Sequence, residues 1–138
     1  MIMIINKRQH SVTKAQIKRL EKTLALSKGK RDEMDKRIFD SMIAGIRSQI
    51  SELKDQVKEY ERMQSAKAIS YSLDSLPNVL IQARVARGLT QEQLAKKIKV
   101  DARQIQRYEK TNYSSVSLER VIDILKALDI NLKGRIAL

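Results

Sequence analysis

The chain has 138 residues, with 42% hydrophobic content, five aromatic residues, 28 Lys and Arg against 16 Asp and Glu, and a net charge of +12. A length of this order holds one domain or two small ones, and a core of Leu, Ile, Val and Ala with one proline and four glycines favours helices. With no cysteine there is no disulfide framework or thiolate metal site, the lone His10 cannot hold a metal alone, and the positive charge favours a polyanionic partner such as nucleic acid or an anionic membrane surface, although the basic first helix lacks the Trp or Phe anchors usual at a membrane. No cofactor is implied. The apolar start MIMII is too short for a signal segment and no run is long enough to span a membrane, so a cytoplasmic location without membrane attachment is expected.

In chain order, Met1 to Ile5 with their β-branched isoleucines predict a short strand. Lys7 to His10 are expected to turn the chain, and Ser11 or Thr13 to cap a helix over 13–28 that turns Ile17, Leu20 and Leu24 inward. Gly29 ends it, and Asp32 is expected to cap a second helix over about 32–68. Phe39, Ile43, Ile46, Ile50, Leu53, Val57 and Tyr60 recur there at alternating steps of four and three, the seam of a coiled coil. The shorter first helix can cover only part of this seam as an antiparallel hairpin. The rest calls for a second copy of the chain, or for a different protein.

Charge is uneven along this half. Lys7 to Arg37 holds eleven basic and four acidic residues, whereas Ile38 to Asp74 holds five and six. The basic stretch reads first as a solvated helix face, with contact to phosphate or an acidic partner as the functional alternative. The expected organisation is a hairpin or coiled-coil domain at 1–68, a linker at 69–74 and a second domain at 75–138. Ile69, Tyr71 and Leu73 alternate and could pack the linker onto a neighbouring domain.

In the second domain, Ser75 and Pro77 open a helix that stops at Gly88, and Thr90 with Gln93 forms a capping box for the next. Leu94, Ala95 and Ile98 turn inward. Lys99 and Val100 make a turn, and Asp101 caps a helix over 102–110. That helix offers Arg103, Gln104, Gln106 and Arg107 outward, with Ile105 and Tyr108 inward, the pattern of a helix that reads the edges of duplex DNA. Ser117 caps a last helix over 118–128, whose Leu118, Val121, Ile122, Leu125 and Leu128 are expected to close the core. The tail DINLKGRIAL alternates Ile130, Leu132, Ile136 and Leu138 with polar residues, strand periodicity that would let it pair with MIMII or a partner's sheet. Otherwise it is a frayed end whose apolar residues cover the last helix.

The run LPNVLIQARVARGLTQEQLAKKIKVDARQIQRYEK, followed by SLERVIDILKAL, resembles the Xre-type helix-turn-helix domain of phage repressors and bacterial regulators over about residues 75–130. The resemblance implies a lambda-repressor-like helical domain, which together with the N-terminal hairpin makes the expected fold all-α, with only short terminal β-strands added. One departure is Lys99, where the family usually has glycine; a left-handed backbone there costs lysine about 1 kcal/mol. The resemblance also implies that Gln91 bonds a phosphate at a helix N-terminus and that Ala102, Arg103, Gln106 and Arg107 face the bases, flanked by Gln104. Lys96, Lys97, Lys99, Lys110 and Tyr113 would hold the DNA backbone. Arg84 and Glu109 would form a structural salt bridge, and Tyr108 would belong to the core.

The function expected from these features is a sequence-specific transcriptional repressor, a homodimer on a palindromic operator in double-stranded DNA. The alternative is an antitoxin of the HigA type, which neutralises a protein toxin through its N-terminal arm and represses its own operon. An enzyme finds no support, because no nucleophile has an evident base and no glycine-rich phosphate loop exists.

Overall fold

The computed structural model describes residues 3–138. Six α-helices and one 3-10 helix account for the regular structure of these residues: α1 (Lys7–Ser27), a 3-10 turn (Lys28–Glu33), α2 (Lys36–Gln64), α3 (Leu76–Ala86), α4 (Gln91–Lys97), α5 (Ala102–Lys110) and α6 (Leu118–Ala127). The chain divides after Arg62 into two compact units.

The first unit is a helical hairpin. Its first helix begins at Lys7, six residues before the expected start, because Asn6 rather than Ser11 or Thr13 is the cap. The Asn6 side chain accepts the Gln9 N–H at 2.8 Å, and Gln9 Oε1 accepts the Ile5 N–H at 2.9 Å, so Lys7 to His10 form the first turn. The second helix also starts later than expected. Asp35, not Asp32, accepts from Arg37 N at 2.8 Å, and the 3-10 turn occupies the residues before it.

The longer α1 presents a stripe of Thr13, Ile17, Leu20, Leu24 and Ser27, buried or half-buried, at steps of three and four. Two contacts mark the antiparallel register: Lys54 Nζ lies 3.0 Å from Glu21 Oε1, and His10 Nε2 lies 3.0 Å from Glu61 Oε1. The His10 ring also rests 5.0 Å from that of Tyr60. Along α2, Phe39, Ile50 and Tyr60 are buried, while Ile43, Ile46, Leu53 and Val57 stay half-buried. A pair of helices cannot close its own seam on both sides.

The second unit packs α3 to α6 around Leu80, Ile81, Val85, Leu94, Ile105, Ile124 and Leu128, each at most 5% exposed. Ala95, 2% exposed, lies where α4 meets α5. Helix α3 ends in a Schellman motif: Gly88 takes φ +70°, Gly88 N–H donates to Val85 O and Leu89 N–H donates to Arg84 O. Arg87 then ties two helices together, its Nε donating to Leu128 O at 2.9 Å and its Nη2 to Asp129 O at 3.0 Å, so a cation meets the carbonyl end of α6. Pro77 sits in the first turn of α3, but Ser75 makes no side-chain cap because its Oγ is engaged by Ser72.

Three expectations are corrected here. Leu118 and Ile122 do not close the core but are exposed, at 74% and 42%. The buried face of α6 is centred on Ile124 and Leu128, and at about 100° per residue both side chains fall roughly a quarter-turn or more away from it. The tail does not form a strand either: residues 131–138 are exposed and irregular, since alternation without a ladder of partners does not hold a strand. Of the strand expected at Met1 to Ile5, residues 1 and 2 lie outside the described residues; Met3 to Ile5 form no strand, and Ile4 is buried at 3% exposure. In the connecting segment, Ile69 is half-buried, whereas Tyr71 and Leu73 are exposed.

Candidate nucleic-acid interface

The motif starts with a complete capping box. Thr90 Oγ1 accepts from Gln93 N–H at 3.0 Å, and Gln93 Oε1 accepts from Thr90 N–H at 2.9 Å. Helix α4 is stopped by Lys99, which takes φ +59°, with Val100 N–H donating to Ala95 O. Lysine therefore holds the left-handed position that glycine fills most cheaply. Asp101 caps α5 by accepting from Arg103 N–H at 2.8 Å.

Helix α5 is sharply two-faced. Ile105 is fully buried, Glu109 is 6% exposed and Tyr108 is half-buried, which anchors the inner side. Arg103, Gln106, Arg107 and Lys110 are exposed, with Ala102 and Gln104 half-buried at the margins. The side chains of Arg103, Arg107 and Lys110 enter no salt bridge among the described residues; neither do Lys97 and Lys99. Lys96 approaches Glu92 at 3.9 Å, an exposed pair that restrains it little. The result is a helix face of guanidinium and amide groups bordered by lysines. Guanidinium forks onto guanine and amide onto adenine, while lysine serves as a point charge for phosphate.

Behind this face lies a buried ion pair. Arg84 Nε donates to Glu109 Oε1 at 2.5 Å and Nη2 to Glu109 Oε2 at 3.0 Å, with Nη1 donating to Leu89 O at 2.8 Å. Their side chains are 2% and 0% exposed. Gln91 joins the same carboxylate, donating from Nε2 to Glu109 Oε2 at 2.7 Å. One carboxylate thus connects α3, the start of α4 and the end of α5. An amide nitrogen carries two protons, so this bond orients Gln91 and still leaves it one donor. Nothing in the sequence pattern marked that link, which spans 18 positions.

Tyr113 departs from the role given to it. It is 6% exposed and its hydroxyl is buried without a hydrogen-bond partner, so in this conformation it does not reach a DNA backbone. Burial pushes the phenol well above its ordinary range, and the Glu109 carboxylate adds to the effect while Arg84 opposes it; the group stays protonated. Asn112, Tyr113 and Ser115 all take positive φ, and Tyr113 N–H donates to Tyr108 O at 2.7 Å. The chain leaves α5 through a tightly wound loop that no glycine announces.

No helix among the described residues is long and apolar enough to cross a membrane. Residues 80–134 match the family model described as helix-turn-helix. That stretch covers all of α4, α5 and α6 and most of α3, and amounts to fewer than half of the chain's residues. No curated protein and no solved structure matches the chain.

Proposed function

We propose that this protein, whose residues 80–134 are an Xre-type helix-turn-helix domain, is a sequence-specific DNA-binding transcriptional regulator that acts as a repressor. The observation that carries the reading is the outer face of α5, where Arg103, Gln106 and Arg107 are exposed over a buried Ile105. On this reading Ala102, Arg103, Gln104, Gln106 and Arg107 meet base edges in the major groove. Gln91, Lys96, Lys97, Lys99 and Lys110 hold phosphates, contributing affinity and salt dependence rather than sequence choice.

A single recognition helix reads only a few base pairs, so the regulator is a homodimer on a palindrome. Ile43 and Ile46 of α2, both half-buried, supply the contact between copies in the cytoplasm. Footprinting on DNA upstream of the protein's own gene tests the reading: a protected palindrome is expected, lost in Arg103→Ala and Arg107→Ala. Protection unchanged by both substitutions would remove these residues from base recognition.

The same half-covered hairpin supports a second reading, an antitoxin that masks a toxin. The excess of basic residues between Lys7 and Arg37 restricts it to a toxin with an acidic surface. Co-purification with the product of an adjacent small gene is the observation that would favour it.

A further inference from the structure

DNA reading by α5 leaves one strongly charged surface of the protein unused. On one flank of the α1–α2 hairpin, a groove of about 300 Å³ opens between the helices. Ile17 of α1 and Val57 of α2 give it an apolar floor, and four lysines border it: Lys14 and Lys18 one turn apart on α1, Lys54 and Lys58 one turn apart on α2. Lys54 is paired with Glu21 at 3.0 Å. Lys14, Lys18 and Lys58 enter no salt bridge among the described residues. Glu61, also at the groove, is engaged by His10.

Lysine lays an apolar stem along such a floor and keeps its ammonium at the rim. The groove therefore asks for an occupant with an apolar stripe down the middle and negative charge along both edges. An amphipathic helix with carboxylates one turn apart beside its apolar stripe has this form, and edge charges of this kind select partners in coiled coils. A second copy of the chain does not: symmetry would bring lysines against lysines, and like charges facing each other oppose association. Duplex DNA satisfies the lysines but has nothing to cover the half-buried Val57.

We propose that this groove docks an acidic amphipathic helix of a partner protein, which completes the hairpin as a third helix. The site is separate from the α5 face and does not depend on the DNA-reading role.

The test uses the full chain and two fluorescent synthetic peptides of equal composition, about three heptads of leucine and glutamate. One places leucines at the a and d positions of the heptad; the other scrambles them around the helix. Binding is read by anisotropy for the natural chain, for Lys14→Glu/Lys18→Glu/Lys58→Glu, and for the same three positions changed to arginine. Circular dichroism checks that the hairpin remains helical in each. The amphipathic peptide is expected to bind at least tenfold more tightly than the scrambled one, to lose at least tenfold on charge reversal, and to be retained by the arginine variant. Equal binding of the two peptides, binding unaffected by charge reversal, or no binding of either overturns the proposal.

Discussion

Gln91 donates its side-chain amide to Glu109 at 2.7 Å, onto a carboxylate that Arg84 already holds in a two-pronged grip. This bond gives the buried ion pair a consequence for the surface proposed to face DNA. The carboxylate that fastens α5 to α3 also fixes the first residue of α4, where a phosphate would approach the helix N-terminus. Removing Glu109 strands a guanidinium at 2% side-chain exposure. Glu109→Ala is expected to cost about 3–5 kcal/mol in urea unfolding. The double change Arg84→Met/Glu109→Leu, which leaves no unpaired buried charge, is expected to cost clearly less. A double variant as unstable as the single one would show that packing, not the stranded charge, sets the cost.

Lys99 carries two separable effects. Its φ of +59° is strained for a side chain, and Lys99→Gly is expected to raise stability by about 1 kcal/mol. If the ammonium holds a phosphate, the same substitution lowers the slope of log affinity against log salt by about 0.9. Denaturant titration and a salt series of DNA binding separate the two; a stability gain with no change in slope would take Lys99 off the DNA.

Tyr113 bears a buried hydroxyl with no partner. An unsatisfied buried polar group costs about 1–3 kcal/mol, so Tyr113→Phe is expected to leave the fold unharmed or more stable, by up to about 1 kcal/mol. DNA affinity should not change. A marked loss of affinity in Tyr113→Phe would mean that the hydroxyl reaches the backbone after all, through a rearranged loop after α5.

In the proposed homodimer, the half-buried Ile43 and Ile46 of α2 form the contact between copies. Light scattering of the full chain is expected to give twice the mass of one chain, and Ile43→Glu with Ile46→Glu to give the monomer without loss of helix. A monomer in the unchanged protein would leave the seam to another partner.

Much of the second unit was legible because its signals are local. Thr90 and Gln93, Asp101 and Ser117 each cap within three residues, and Gly88 stops α3 at the next turn. Lys99 takes the left-handed turn at the position where the resembled family usually has glycine. What escaped depends on residues far apart in sequence. Arg87 closes the end of α6 from 41 positions away, and Gln91 finds Glu109 only when α4 and α5 are packed. The hairpin misled for a different reason: Asn6 and Asp35 compete with Ser11, Thr13 and Asp32 for the same capping role, and spacing alone does not choose among polar residues. Alternating apolar residues at the tail have the period of a strand, yet period two describes one edge and says nothing of a partner.

Sequence recognition by α5 is the centre of this reading, and selection from a random duplex library with the purified full chain tests it most directly. The natural protein is expected to enrich a palindromic motif, with each variant, Arg103→Ala, Gln106→Ala and Arg107→Ala, relaxing a defined position by about 1–3 kcal/mol. Enrichment of no motif, or of one identical motif by all four proteins, would contradict it.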